Sequence, residues 1–133
     1  MRSRSTLLLG LSILLAVLPA LAHHSFATEY DSSKTVTLKG TVMMIDFANP
    51  HSWLYINVKD GNMTVSWGVE LGPMNDLRLQ GWNKDSVKPG TEVAIDGFLA
   101  KNGSKTANAK TVKLPDGRIL FANGSALPAQ TKK

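Results

Sequence analysis

Between Thr35 and Phe121 apolar and polar residues alternate in short runs, broken at a few defined points. Val36, Leu38 and Val42 alternate with Thr35, Thr37, Lys39 and Thr41, the period of a half-buried strand. Gly40 interrupts this run, and a glycine inside a strand marks a bulge or a bend. From Met43 to Phe47 both faces turn apolar, as in a long strand that curls and serves two sheets. Asn49-Pro50 then ends the strand, because proline has no amide proton for a ladder and restricts the residue before it. The second strand offers Leu54, Ile56 and Val58 to a core, with Trp53, Tyr55 and Asn57 on its other face.

Lys59-Asp60-Gly61-Asn62 reads as a hairpin turn into a third strand, Met63 to Leu71. Its alternation sends Met63, Val65, Trp67 and Val69 inward and leaves Thr64, Ser66, Gly68 and Glu70 opposite. After Gly72 the period changes. Pro73 suits a first helical turn, and Met74, Leu77 and Leu79 ahead of Gly81 predict a helix of about two turns whose apolar face ends on Trp82.

Lys88-Pro89-Gly90 turns the chain into a fourth strand, Thr91 to Ala100, with Val93, Ile95 and Gly97 on one face. Asn102-Gly103 leads to a fifth, from Thr106 to Leu114, and Pro115-Asp116-Gly117 closes a last hairpin to Ile119-Leu120-Phe121. From Ala122 the pattern is lost, so residues 122–133 read as a flexible tail. Residues 35–121 therefore predict an all-β domain, a small five-stranded barrel of the oligonucleotide/oligosaccharide-binding (OB) type with one short helix between strands three and four. An open β-sandwich with the helix packed at one end is the rival plan.

The first residues follow another logic. Arg2 and Arg4 precede an apolar run from Thr6 to Leu18, and Ala20-Leu21-Ala22 supplies the small residues a signal peptidase requires. Residues 1–22 are thus expected to be a cleaved signal peptide, and the run is short for a bilayer span of about 20 residues. The mature protein is expected in the periplasm or outside the cell, with no membrane attachment after cleavage. Residues 23–34 form a polar lead-in anchored by Phe26 and Tyr30.

Composition sharpens this picture in two ways. The net charge of +5 includes Arg2 and Arg4 of the leader and Lys132 and Lys133 of the tail, so no clustered basic face points to nucleic acid. With no cysteine, an exported chain has neither a disulfide brace nor thiol chemistry, and its stability rests on its core. A mature chain of about 110 residues is long enough for one such core.

The candidate chemistry gathers at two places. Cleavage after Ala22 gives His23 a free α-amine, which chelates a metal together with the His23 ring; a third nitrogen, from His51, completes a set suited to copper(II). In a second mode the amine, the intervening amide nitrogen and the His24 ring bind. Against both stands a plainer reading: His23 and His24 are a solvated terminus and His51 caps a turn. Trp53 and Tyr55, two apart, form a stacking platform beside Lys39 or Lys59, with Asn49 and His51 at its rim. The plainer alternative buries them beneath the helix or beneath the lead-in with Phe26 and Tyr30.

Asp46, Glu70 and Asp96 are the strand carboxylates available for acid/base work, but no motif of a known reaction accompanies them. The expected function is therefore a non-catalytic binding or accessory module for a small molecule or a periplasmic protein. A copper(II)-binding protein is the alternative, and an enzyme the third reading.

Several short motifs occur in a fixed order: His23-His24-Ser25-Phe26 with Glu29-Tyr30-Asp31, Gly40-Thr41-Val42, Asn49-Pro50-His51-Ser52-Trp53, Val69-Glu70-Leu71-Gly72, Gly81-Trp82, Lys88-Pro89-Gly90 and Leu114-Pro115-Asp116-Gly117-Arg118. In these the chain resembles a family of small exported bacterial proteins, domain of unknown function 6152, from His23 to about Gly124. The resemblance implies a periplasmic, barrel-like module and no particular substrate. It places His23, His24 and His51 at motif positions.

Overall fold

A computed structural model describes residues 25–122; the expected signal peptide, His23, His24 and residues 123–133 lie outside the described residues. The elements in chain order are α1 (Phe26–Glu29), β1 (Tyr30–Asp46), β2 (Ser52–Asp60), β3 (Met63–Leu71), α2 (Met74–Leu79), β4 (Glu92–Ala100), β5 (Thr106–Lys113) and β6 (Ile119–Phe121). The class is all-β. Six strands form one sheet in the order β3-β2-β1-β4-β5-β6, antiparallel throughout except where β3 also pairs in parallel with β5.

The expected count of five strands is corrected to six. Ile119–Phe121 pairs with β5 from Lys113 back to Thr111. Three residues are too few to display a period, and this strand is fixed instead by distant partners. The Trp82 indole N–H donates to the Phe121 carbonyl at 2.8 Å. Ala122, expected to open the tail, is fully buried; its N–H donates to the Lys110 carbonyl, and its own carbonyl accepts from Gly72 N–H at 2.7 Å.

At 17 residues β1 is the longest strand, and it runs between β2 on one side and β4 on the other. It takes in residues 30–34, which the alternation leaves to the lead-in, through an irregularity between Tyr30 and Thr35. Gly40 is explained by proximity: a Cβ there would lie 2.5 Å from the Asn57 carbonyl oxygen. The bulge itself comes later, between Val42 and Met44, and leaves the two consecutive methionines half exposed, where the alternation expects apolar cover on both faces.

Leu38, Val42, Leu54, Ile56, Val69 and Ile95 form the centre of the core, as their alternation predicts. Two predicted inward residues are out. Met63 is 70% exposed, because it is the first residue after the Gly61-Asn62 turn, at the far end of the β2–β3 hairpin. Leu79 is 88% exposed while Leu77 is fully buried, since residues two apart point to different sides of a helix.

The helix ends as its sequence directs. Gly81 takes φ +94°, its N–H donates to the Arg78 carbonyl, and Trp82 N–H reaches back to the Leu77 carbonyl at 3.0 Å, the paired bonds of a Schellman motif. This cap turns Trp82 into the core, edge-on to Phe47 with ring centroids 6.4 Å apart. Trp67, predicted as core, is only partly buried beside it, with the Lys105 ammonium 5.3 Å from its ring centre. Among the described residues no helix is long and apolar enough to cross a membrane.

Candidate functional site

Proline breaks β1 from β2, and a buried serine closes the gap. Ser52 is wholly inaccessible; its Oγ accepts from Ala48 N–H at 3.1 Å and donates to the Ala48 carbonyl at 3.2 Å, while its own N–H donates to the Gly72 carbonyl. These bonds hold the turn that carries the cis peptide Asn49–Pro50 and, immediately before Ser52, His51.

His51 Nδ1 lies 2.7 Å from Glu70 Oε1. The other carboxylate oxygen, Oε2, accepts a short hydrogen bond from the Tyr30 hydroxyl. Glu70 is 5% exposed and Tyr30 3%, so this polar pair is interior, whereas the His51 side chain is 39% exposed. Burial first, then the hydrogen bond to Glu70 and its negative charge, push the Tyr30 hydroxyl far above the usual phenol range. It therefore remains a donor. An ionised carboxylate only accepts, so both Glu70 oxygens face donors, the phenol O–H and the imidazole Nδ1–H. In a neutral ring whose Nδ1–H donates to Glu70, the lone pair lies on the second nitrogen, Nε2.

Alongside lies the aromatic pair. Trp53 is the cross-strand partner of Glu70, and Tyr55 that of Gly68. Their rings stack at 6.5 Å and 21°, and they lie over Gly68, where a Cβ would sit 3.7 Å from both. Tyr55 is 39% exposed and Trp53 half buried, so the lead-in does not bury the pair. Trp53 borders an open cleft of about 300 Å³, walled by Tyr30 and Thr28 on one side and by Lys101, Asn102 and Ser104 of the β4–β5 turn on the other. Lys101 lines the cleft that Trp53 borders, and its ammonium donates to the Ala27 carbonyl; Lys39 and Lys59 are the cations expected beside the pair. Lys39 pairs with Ala94 on β4, and Lys59 stands at the hairpin end opposite Thr64.

Of the predicted site residues, the structure brings together His51, Trp53 and Tyr55. Asn49 is exposed on the same turn, apart from the Tyr30–Glu70–His51 group, and His23 and His24 lie outside the described residues. Among the described residues no group of three or more His, Cys, Asp or Glu converges as a metal site. The strand carboxylates separate: Asp96 accepts from the Thr37 hydroxyl at 2.6 Å, and Asp46 is exposed on the other side of Trp53.

Glu70 and Tyr30 are the site residues that alternation misses. It places Glu70 opposite the core and Tyr30 as an anchor of the lead-in, and nothing in a period of two pairs residues forty positions apart. The one signal available is a single carboxylate ending a strand that otherwise shows threonine, serine and glycine on that face.

No curated protein matches the chain. The sequence model of a family of unknown function (DUF6152) matches residues 12–109, a span that includes Tyr30, His51, Trp53, Tyr55 and Glu70, and the chain belongs to that family.

Proposed function

We propose that the protein is an exported binding or accessory module, built on an OB-type barrel, that takes a small ligand at the face of Trp53, Tyr55 and His51. One observation carries the reading: a buried carboxylate holds an exposed imidazole in one orientation beside a stacked, accessible aromatic pair. A side chain that serves only to fill a turn needs no such support.

The scaffold reading is supported by the pairing path, which runs from β1 through β2, β3, β5 and β4 back to β1. OB barrels bind ligands on the faces of strands two and three and with the loops joining strands one to two and four to five. In this chain Trp53 and Tyr55 lie on β2, His51 on the β1–β2 turn and Lys101 on the β4–β5 turn. Export is supported by Arg2, Arg4, the apolar run and Ala20-Leu21-Ala22. The small cleft suits a small molecule over an extended partner, and the mild charge gives no footing to nucleic acid.

The test is a thermal-shift screen of the mature protein against amino acids, sugars, short peptides and divalent metals. A ligand that stabilises the protein, and whose effect disappears in both Trp53→Ala and His51→Ala, carries the reading. Ligands indifferent to both substitutions sink it.

Copper(II) is the second reading, favoured by the same imidazole: a metal-binding histidine characteristically gives its other N–H to a carboxylate. The His23 amine and ring, with His51 or in the second mode His24, complete the donor set. One extra glycine before His23 is expected to weaken copper binding by orders of magnitude, as measured by competition with a chelator of known affinity. Equal affinity in both forms removes the amine from the site.

A further inference from the structure

We infer that the cleft between the lead-in and the β4–β5 turn is a carbohydrate site, taking one or two neutral pyranose rings against Trp53, with their hydroxyls on Asn102, Ser104 and Thr106. This rests on the small-ligand reading above and names the ligand class.

The lining of the cleft offers two kinds of surface. Trp53 and Tyr30 are its aromatic residues, and the Tyr30 hydroxyl is spent on Glu70, so both contribute ring surface. The β4–β5 side is polar. Asn102 Oδ1 accepts from Ser104 N–H at 2.9 Å, which orients the amide and leaves both of its N–H groups available. Among the described residues those N–H groups and the hydroxyls of Ser104 and Thr106 have no partner. Each hydroxyl both donates and accepts, and the amide donates twice. Such a set suits a ligand with closely spaced hydroxyls, and the C–H face of a pyranose ring covers an aromatic wall.

Charge separates this class from other small ligands. Lys101 and Glu29 are the charged side chains on the cleft, and their signs are opposite. The Lys101 ammonium already donates to the Ala27 carbonyl at 2.5 Å, and Glu29 is partnered as well. The next lysines along the chain serve other rings: Lys105 stands over Trp67 and Lys110 over Phe98. A carboxylate or phosphate meets no excess of cations here, and an ammonium no excess of anions. A neutral sugar needs neither.

Size and rigidity agree. The cleft of about 300 Å³ is at the low end of small-molecule sites, about 300–1,000 Å³, which leaves room for one or two rings. Its lead-in wall is braced: Phe26 stacks on Tyr30 at 5.8 Å and meets the edge of Phe98 at 5.3 Å, and Lys101 N–H donates to the Glu29 carbonyl at 2.8 Å. A preformed cleft loses little freedom when it is filled.

The experiment uses the full mature chain beginning at His23. The probes are the methyl glycosides of glucose, galactose, mannose and N-acetylglucosamine, with maltose and cellobiose; free leucine, adenosine and a glucose monophosphate are the contrasts. Proton–nitrogen spectra recorded during each titration give both affinity and place. At least one sugar is expected to bind and to move the Trp53 indole and Asn102 side-chain signals, and the monophosphate is expected to bind no more tightly. Trp53→Ala is expected to abolish binding. Asn102→Ala, Ser104→Ala and Thr106→Val are each expected to weaken it by about 3- to 10-fold, the loss of one hydrogen bond. Ser104→Ala and Thr106→Val keep the backbone bonds of the turn, so the test holds even if Asn102→Ala fails to fold.

If no sugar binds, the carbohydrate assignment is overturned, and the small-ligand reading then stands only on another ligand whose effect is lost in both Trp53→Ala and His51→Ala. Sugar binding that is indifferent to all three polar substitutions overturns the cleft as its place. Sugar binding that survives Trp53→Ala overturns both readings.

Discussion

Tyr30 is a phenol enclosed against a carboxylate, and that alone makes a prediction about pH. Its proton is held more tightly in the folded protein than in the unfolded chain, through burial, then the hydrogen bond and charge of Glu70. The stability this contributes is fully present below the ordinary tyrosine pKa, near 10, where both states are protonated. As the pH rises past about 10 the unfolded chain releases its proton first, and stability is lost at about 1.4 kcal/mol per pH unit until the folded phenol also titrates. Urea unfolding of the wild type and of Tyr30→Phe between pH 8 and 11.5 checks this: the slope above pH 10 is expected to be shallower in the variant. Ser52 is the second residue whose surroundings set a cost. Its hydroxyl is both donor and acceptor to Ala48, so Ser52→Ala strands the two Ala48 groups and is expected to cost about 1–3 kcal/mol in denaturant unfolding.

At the scale of the element, two glycines do different work. Gly97 lies at an irregularity between β4 and β5, where a Cβ would sit 2.2 Å from the Asn108 carbonyl oxygen. Backbone meets it there, so Gly97→Ala must part the two strands and is expected to cost about 1–3 kcal/mol, or more. Gly81 has open space where its Cβ would be but a φ of +94°, so Gly81→Ala costs only the left-handed backbone, about 1–2 kcal/mol. Both are read from unfolding midpoints, and a proton–nitrogen spectrum separates them. Gly97→Ala is expected to shift resonances along β4 and β5, whereas Gly81→Ala affects the end of α2. Trp82, which that helix cap turns inward, is the plainest core residue of the three tryptophans, and Trp82→Ala is expected to cost about 3–5 kcal/mol.

For the molecule as a whole, the last strand is what the pairing path leaves over, and it is still structural. A chain ended at Arg118 loses β6, the Trp82–Phe121 bond and the two backbone bonds of Ala122. At about 0.5–1.5 kcal/mol for each of these three bonds, it is expected to be less stable by roughly 2–4 kcal/mol. Thermal unfolding followed by tryptophan fluorescence measures the difference. An unchanged midpoint would mean that β6 adds nothing to stability. The site lies at the closing seam of the same sheet, since Glu70 pairs with Trp53 on one side and Asn108 on the other. Loss of the β3–β5 pairing would therefore loosen His51 as well.

Much of this was legible one residue at a time. The all-β class, the long first strand, the break at Asn49-Pro50, the hairpin at Gly61-Asn62 and the short helix ending at Gly81 all follow from local periods and turn chemistry, which act over a few residues. His51, Trp53 and Tyr55 were legible as candidates for the same reason, because they share one short stretch. What the period misplaces are ends: Met63 beyond a turn, Leu79 at the end of a helix, Ala122 at a chain boundary, where neighbours in space decide burial. The parallel seam of β3 with β5, the cover for Ala122 and the bonds from Tyr30 to Glu70 and from Glu70 to His51 belong to tertiary structure alone. They join residues separated by as many as fifty positions, through hydrogen bonds that have no periodic trace in the chain, and a buried carboxylate is stable there only because the fold supplies both of its donors at once.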